Sequence, residues 1–494
     1  MDFTLPFATY VMLALTLLFI LNVLMRWNKN PLKNFPPGPK GFPLIGNLFD
    51  INLKKLHESY IELSKIYGPV FSIQLGPKRI VVLAGYKTVK DALVNHADEF
   101  GARAQMPIFN KTDEGYGLIL SNGENWKAMR RFTITTLRDF GMGKNTMEQK
   151  IMDECDHLKE SFASFNGTPF DDAIILNASV ANILISILFG NRMDYEDPSF
   201  IRLLCLVNEY ARLLGSPMVT IFNIFPSLGF LPGSHKTVLR NVNEMYKFAK
   251  SRIVETRKTL DENDQRNFLD AFFLRQIQEE ENTASYFHDR NLLTVVKNLF
   301  LAGMETTSTT LRWGLLLMMK YPDIQEKVHN EIFAVIGSAQ PNYNHRLEMP
   351  YTNAVIHEIQ RFGDVTPLAL PHETSADVHF KGYFIPKGTV IIPLLSSVLR
   401  DETQFDDIDE FNPNNFLDSE GNFVKKEAFM PFSAGRRVCA GETLARMELF
   451  IFFTSLLQKF SFRPPPGVTN IDLTAVTGVT NSPVPHKICA FSRD

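Results

Sequence analysis

The sequence predicts one large, mostly helical body with a smaller β portion, preceded by an N-terminal membrane anchor helix. Helical hydrophobic patterns dominate from about residue 85 to residue 330, whereas stretches typical of strands are short and far apart. An almost uncharged apolar run, Thr4 to Met25, comes first. No repeat of about 20 to 50 residues is present, so the pattern does not favour a solenoid.

Composition narrows the function classes. Hydrophobic residues make up 45% of the 494 residues and 41 of them are Phe, which suits a large apolar interior or cavity. A net charge of −3, without any RNA or DNA motif, indicates no nucleic-acid partner. The four cysteines lie far apart without C-x-x-C pairs, which favours a reducing compartment; they are Cys155, Cys205, Cys439 and Cys489.

The apolar run at the start of the chain predicts a single membrane span. At about 1.5 Å per residue it is long enough to cross a hydrocarbon core of about 30 Å. Asp2 precedes the run, and the basic residues Arg26, Lys29, Lys33 and Lys40 follow it, so the body is expected on the cytosolic side. A cleaved signal peptide is the alternative, but it needs a basic start, a shorter apolar core and a small-residue cleavage site, none of which is convincing here.

Short elements follow the anchor. Pro36 to Pro43 contains four prolines and predicts a stiff, extended connector. A helix is predicted over Leu53 to Tyr67, and a strand pair, Val70 to Leu75 and Ile80 to Leu83, around Gly76-Pro77. Further strand-like stretches are Val378 to Phe384, Val390 to Pro393 and Ile488 to Phe491.

One long helix is predicted from Asp289, as its cap, to Lys320, just before Pro322. In its middle, Ala302-Gly303 removes side-chain bulk, and the acid and hydroxyl of Glu305-Thr306 offer a hydrogen-bonding step for water and protons. The alternative is a helix crossing lined by small residues, with Glu305 in a salt bridge and Thr306 bonded to the preceding turn.

A glycine-flanked loop, Phe432 to Glu442, precedes the apolar segment Thr443 to Phe460, which reads as a buried helix. Cys439 therefore lies near a helix N-terminus, which favours the thiolate that an iron ligand requires. Gly435 and Gly441 leave room for a flat group, Phe432 could pack beside it, and Arg437 could pair with a carboxylate on it. A lone cysteine is otherwise a small buried hydrophobe.

Two residue pairs are each spaced so that both side chains lie on one face of a predicted helix. Glu358 and Arg361 lie three residues apart and can pair, as on many surface helices. Trp126 and Arg130 lie four apart and place an indole N–H beside a guanidinium. A surface helix with a half-buried tryptophan is the alternative for the second pair.

The motif Phe-x-x-Gly-x-Arg-x-Cys-x-Gly, residues 432–441, resembles the haem-thiolate loop of the cytochrome P450 monooxygenases. The long helix, the Glu-x-x-Arg pair, and residues 411–416, which are similar to the family's Pro-x-x-Phe segment, precede it in family order. Residues 302–312 and 382–389 look like the second vertebrate family of microsomal enzymes. Two positions depart from the family pattern. The family often has a smaller residue where this chain has Met304, and it often has Arg or His where this chain has Asn415.

The resemblance implies the cytochrome P450 fold, with residues 1–28 as a transmembrane anchor, 29–47 as a proline-rich hinge and 48–494 as a haem-binding catalytic domain. It implies haem b with Cys439 as its iron ligand. The implied haem contacts are Arg103, Trp126, Arg130, His372, Phe432, Arg437, Cys439 and Gly441. The implied catalytic residues are Glu305 and Thr306. The implied substrate contacts are Phe109, Ile119, Leu120, Ala302, Thr366, Leu370 and Val479. The implied structural residues are Glu358, Arg361 and Asn415.

The implied activity is insertion of one atom of O₂ into a lipophilic substrate, namely a fatty acid, a steroid or a xenobiotic. Electrons come from NADPH through a reductase that carries FAD and FMN, with cytochrome b5 as a further electron partner, at the endoplasmic reticulum membrane. Two alternatives are a haem-thiolate isomerase or dehydratase of lipid peroxides and a non-catalytic, membrane-tethered haem binder.

A basic surface is predicted to receive the electron donor if the Trp126 helix meets the cysteine loop at the haem. Without that meeting, it is an ordinary solvated face. Its members are Lys127, Arg131, Arg138, Lys425, Lys426 and Arg436.

Overall fold

The computed structural model describes residues 9–18 and 33–493, and α-helices account for most of their regular secondary structure. Residues 9–18 are helical with exposed side chains, and the rest of the predicted anchor lies outside the described residues. Within the described ranges, no helix combines the length and apolar character that crossing a membrane requires.

The helices are α1 (Leu56–Tyr67), α2 (Tyr86–Lys90), α3 (Pro107–Thr112), α4 (Gly123–Asp139), α5 (Asn145–Ala163), α6 (Ala173–Phe189), α7 (Pro198–Leu214), α8 (Pro217–Ile224), α9 (Ser234–Lys258), α10 (Phe268–Gln278), α11 (Asp289–Lys320), α12 (Pro322–Val335), α13 (Pro350–Gly363), α14 (Leu395–Leu399) and α15 (Glu442–Lys459). The strands are β1 (Val70–Leu75), β2 (Lys78–Leu83), β3 (Ala102–Arg103), β4 (His372–Glu373), β5 (Val378–Phe380), β6 (Tyr383–Ile385), β7 (Val390–Pro393), β8 (Phe460–Arg463), β9 (Ala475–Thr477), β10 (Asn481–Pro483) and β11 (Cys489–Ser492). The prediction of a mostly helical body with a minor β portion is confirmed.

The largest sheet joins distant parts of the chain in the order β1-β2-β7-β4-β3. The β1–β2 hairpin is antiparallel, with Val70 opposite Leu83, and β2 runs parallel to β7, with Ile80 opposite Val390. At the far edge Arg103 of β3 pairs with His372 of β4. The sheet therefore places two predicted haem contacts side by side.

One stretch that was predicted as a single strand forms two strands in the structure. Residues 378–384 fold as the hairpin β5–β6, because the chain reverses at Lys381 and Gly382, whose φ angles are +50° and +84°. Two successive positive φ angles are typical of the tight turn that matches the twist of a hairpin.

The predicted long helix, α11, has the predicted ends, and it passes through the main hydrophobic core between α6 and α15. Its N-cap, however, is His288, whose ring accepts a hydrogen bond from the Asn291 N–H, and not Asp289. Asp289 instead pairs with Arg257 at 2.5 Å.

The described part of the predicted hinge, residues 33–47, lies along β1. The Ser72 N–H donates to the Pro37 carbonyl at 2.7 Å, and the Ser72 hydroxyl donates to the Pro36 carbonyl at 2.8 Å. At Gly38 a Cβ would lie 1.8 Å from the Ser72 carbonyl oxygen, so only glycine allows this close approach.

Candidate functional site

Cys439 follows a short 3₁₀ turn, Gly435–Arg437, and lies just before the start of α15. Its N–H donates to the Phe432 carbonyl at 3.1 Å, which closes the loop. The side chain reaches open space, yet the protein packed around the thiol raises its pKa. Hydrogen bonds from the N–H groups of Gly441 and Glu442 oppose that rise, as expected at a helix N-terminus.

The two loop glycines serve different purposes. Gly435 has a φ of +73°, and a Cβ there would lie 1.8 Å from the Leu93 carbonyl oxygen. Its small size therefore admits the backbone around Leu93. At Gly441 a Cβ would make only an ordinary 4.0 Å contact with the Cys439 sulfur.

Basic side chains converge beside the cysteine loop. Arg437 donates from Nε to the Gly101 carbonyl at 2.9 Å, and its guanidinium lies 3.7 Å from the centre of the Trp126 ring. Arg103 donates from Nη1 to the Leu370 carbonyl at 2.7 Å. Arg130 donates to the Val438 carbonyl at 2.7 Å, so α4 and the cysteine loop meet here.

Two of these arginines and the neighbouring His372 each have a buried nitrogen without a partner. Arg103 Nε, Arg437 Nη1 and His372 Nε2 are buried and have no hydrogen-bond partner, and no ion pair joins these residues to an acid within residues 33–493. Burial and the neighbouring cations lower the pKa of Arg103 and of Arg437 to about 9, and that of His372 to about 3. Uncompensated buried cations are costly, so this cluster fits a ligand that carries carboxylates, such as the propionates of a haem.

Asn122 is a site residue that the sequence reasoning missed. Its Oδ1 accepts hydrogen bonds from Arg437 Nη2 and from the Arg103 N–H, both at 2.8 Å. Its Nδ2 donates to the Arg103 carbonyl at 2.8 Å. An asparagine just before a helix predicts an N-cap, but this side chain holds two arginines and makes no cap bond.

The acid and hydroxyl pair lies on α11. Glu305 Oε1 accepts from the hydroxyls of Thr480 at 3.1 Å and Thr309 at 3.3 Å, and burial raises the pKa of Glu305 to about 7. The Thr306 hydroxyl donates to the Ala302 carbonyl at 2.7 Å, as the alternative interpretation expects. The salt bridge that the same alternative assigns to Glu305 is not found among the described residues.

Ala302 and Gly303, the two adjacent small residues on α11, have different surroundings. The Ala302 side chain is exposed, whereas a Cβ on Gly303 would lie 2.8 Å from the end of the Leu184 side chain of α6, so Gly303 lies at a close helix crossing. Met304 is fully buried in the hydrophobic core, so its larger side chain fills the protein interior.

An apolar cavity of about 220 Å³ lies between α1, the β1–β2 hairpin, α8 and residues 367–371. Phe109, Leu370 and Val479 line it. The other predicted substrate contacts do not line this cavity; they are Ile119, Leu120, Ala302 and Thr366. The Thr366 hydroxyl donates to the Pro431 carbonyl at 3.3 Å, just before the cysteine loop.

Glu358 and Arg361 form a fully buried pair. Two guanidinium nitrogens, Nε and Nη2, donate to the two carboxylate oxygens, both at 2.7 Å. The guanidinium also donates to the carbonyls of Leu399, Ile408 and Glu410. Asn415 bonds instead to the backbone of Asp406, at 2.8 and 3.1 Å, so backbone carbonyls take the place of a third side chain on Arg361.

The fold and this site define a class: a mostly helical protein in which the exposed Cys439 and buried arginines beside it fit an anionic, metal-bearing cofactor. The sequence profile of the cytochrome P450 family matches residues 36–490. Cytochrome P450 2K6 of Danio rerio is 51% identical over 455 residues, which cover 91% of this chain and 90% of that protein. Cytochrome P450 2C8 of Homo sapiens is 43% identical over 484 residues, which cover 97% and 99%.

Cytochrome P450 2K1 of Oncorhynchus mykiss is 49% identical over 462 residues, which cover 93% of this chain and 92% of the relative. The chain belongs to the cytochrome P450 family, within its family 2, and is a monooxygenase of the EC 1.14.14 type.

Proposed function

We propose that this protein is a microsomal haem-thiolate monooxygenase that inserts one atom of O₂ into lipophilic substrates. Its electrons come from NADPH through a flavoprotein reductase, and cytochrome b5 is a further partner. The observation that carries the proposal is the pair of buried arginines near Cys439, Arg103 and Arg437, each of which keeps one nitrogen without a hydrogen-bond partner, with the unpaired Nε2 of the neutral His372 beside them. Lipophilic substrates, the class that includes fatty acids, steroids and xenobiotics, suit the apolar cavity.

In this proposal Cys439 would hold the haem iron, and the cationic cluster, with Trp126 and Arg130, would hold the haem carboxylates. Phe432 and Gly441 would flank the sulfur. Bound haem supplies the redox chemistry that activates O₂ and splits its O–O bond. The protein's own task is to place the substrate, to exclude water and to deliver protons.

Proton delivery is assigned to Glu305 and Thr306. With a pKa of about 7, Glu305 can hold or release a proton at its carboxyl oxygens at neutral pH. The Thr306 hydroxyl, held by the Ala302 carbonyl, can order a water above the exposed face of Ala302. Glu358, Arg361 and Asn415 act as scaffold, because their hydrogen bonds join α13 and Asn415 to the backbone of residues 399–410.

The basic surface is proposed as the docking site of the reductase, because Arg130 joins α4 to the cysteine loop. Some of its charge is already engaged: Lys127 pairs with Glu124 at 2.7 Å, Arg436 pairs with Asp98, and Lys426 donates to the Gln404 carbonyl at 2.8 Å. Arg131 and Arg138 are exposed. The proposed location is the endoplasmic reticulum membrane, with the body in the cytosol.

NADPH consumption with purified reductase tests the proposal. A lipophilic substrate should stimulate NADPH consumption and appear as a product with one added oxygen. A lipid-peroxide isomerase would turn over without NADPH or reductase, and a haem binder would show neither activity. Either of those results would refute the proposed function.

A further inference from the structure

The chain between α3 and α4, residues 113–122 (the α3–α4 loop), lacks regular secondary structure but is held by side chains of α11. Asn291 Oδ1 accepts from the Gly117 N–H at 2.8 Å. Asn298 Oδ1 accepts from the N–H groups of Leu118 at 2.9 Å and Ile119 at 3.2 Å. The buried side-chain amides of Asn291 and Asn298 thus accept hydrogen bonds from loop N–H groups that have no partner in regular secondary structure.

A buried ion pair orients the second of these amides. Lys297 and Asp113 are both 2% exposed, and Lys297 Nζ donates to Asp113 Oδ1. Asp113 Oδ2 accepts from Asn298 Nδ2 at 3.3 Å. Because the carboxylate can only accept, it selects the Nδ2 end of Asn298 and leaves Oδ1 toward the loop.

The contact between loop and helix is tight. Gly117 has a φ of +85°, and a Cβ there would lie 2.5 Å from Asn298 Oδ1 and 2.6 Å from the Thr294 methyl group. The loop can therefore approach α11 this closely only with glycine at position 117. The Tyr246 hydroxyl holds the start of the loop as well, because it donates to the Thr112 carbonyl at 2.8 Å.

The loop connects two parts of the site. It carries Ile119 and Leu120, which are predicted to contact substrate, and it ends at Asn122, which holds Arg103 and Arg437. Asn298 precedes Ala302 by one helical turn, so the residues that hold the loop lie on the same helix as Glu305 and Thr306.

We propose that Lys297 and Asp113 are positioning residues: through Asn298 they fix the α3–α4 loop against α11 and so set how tightly a ligand is held next to Ile119 and Leu120. The proposal rests on the proposed function only where it treats Ile119 and Leu120 as substrate contacts. The held position of the loop does not depend on that assignment.

The test uses the full-length protein and Lys297→Met. Backbone amide exchange at residues 117–119 should become roughly tenfold faster, the change expected when a hydrogen bond supported by a charged group is lost. Lys297→Arg keeps the positive charge and should restore much of the protection. Lys65→Met, which breaks the exposed pair of Lys65 with Glu62, is the matched control and should leave the loop unchanged.

A second readout is the dissociation constant of 4-phenylimidazole, measured by the haem absorption band. It should rise in Lys297→Met by up to the factor found for the exchange rate, because the apparent dissociation constant scales inversely with the fraction of molecules whose loop is held, while the dissociation constant of imidazole, a smaller probe of the haem alone, stays constant. A protein without haem would show no band shift with either probe, which would refute the proposed function but leave the amide-exchange test intact.

The double variant Lys297→Met/Asp113→Leu covers the case in which Lys297→Met does not fold, because replacing both partners of a buried pair by apolar residues is often tolerated. It should show the same fast exchange at residues 117–119. Wild-type protection of the loop in the folded variants would overturn the proposal. Equal acceleration throughout α11 and the core would also overturn it, since that result indicates a general loss of stability.

Discussion

Glu358→Gln should destabilise the protein strongly although it replaces only one heavy atom, a carboxylate oxygen, by an amide nitrogen. In the native protein both carboxylate oxygens accept from Arg361 at 2.7 Å, and neither side chain is exposed. The variant leaves the guanidinium buried without a counter-charge and turns an NH₂ group toward its donors. Removing one partner of a buried pair costs about 3 to 5 kcal/mol. Three backbone carbonyls still accept from Arg361, so we expect the lower end, about 3 kcal/mol.

A matched control lies on α9, where Arg252 and Glu255 have the same chemistry and the same three-residue spacing. Their closest approach is 3.2 Å, and their side chains are 32% and 64% exposed. Glu255→Gln should therefore cost less than about 0.5 kcal/mol. Urea unfolding of both variants, followed by tryptophan fluorescence, gives the comparison. If Glu358→Gln lowers the free energy of unfolding no more than Glu255→Gln does, burial does not determine how much this ion pair contributes to stability, and the prediction is refuted.

Three further predictions concern the site. Thr306→Ala should still consume NADPH but divert electrons into hydrogen peroxide, because the hydroxyl that orders the proton-carrying water is lost. The measurement is the coupling, that is, the ratio of product formed to NADPH consumed, with peroxide assayed in parallel. Coupling equal to that of the parent protein would contradict the prediction. Because Glu305 has a pKa of about 7 and donates only when protonated, coupling should fall as pH rises through about 7, and Glu305→Gln should remove that dependence. Replacing Lys127, Arg131 and Arg138 by Glu should slow reduction of the haem, most strongly at low salt, without changing substrate affinity. Stopped-flow reduction at two ionic strengths measures this. Equal reduction rates for the variant and the parent protein at low salt would refute a docking role.

Local patterns were sufficient where local physics decides the structure. The ends of α11 and the start of α15 follow from hydrophobic periodicity and from the proline after Lys320. The turn at Lys381-Gly382 was missed, although a glycine between two short apolar stretches is a recognised hairpin signal.

Long-range contacts were beyond the same reasoning. Asn122 meets Arg437 across 315 positions of the chain, and no local pattern marks an asparagine as the residue that orients two arginines. The glycine at position 435 was noticed, but its reason, the Leu93 carbonyl, comes from a segment more than 300 residues away. The family resemblance supplied the order of the motifs, while the structure supplied their partners.

The identity of the iron ligand is the central claim, and the spectrum of the reduced protein with carbon monoxide tests it most directly. The parent protein should give the red-shifted haem band that thiolate ligation produces, because Cys439 is the exposed cysteine beside the cationic cluster. Cys439→Ala should lose that band, whereas Cys205→Ala, which removes the other exposed cysteine among the described residues, should keep it. Retention of the band in Cys439→Ala, or its loss in Cys205→Ala, would contradict the account.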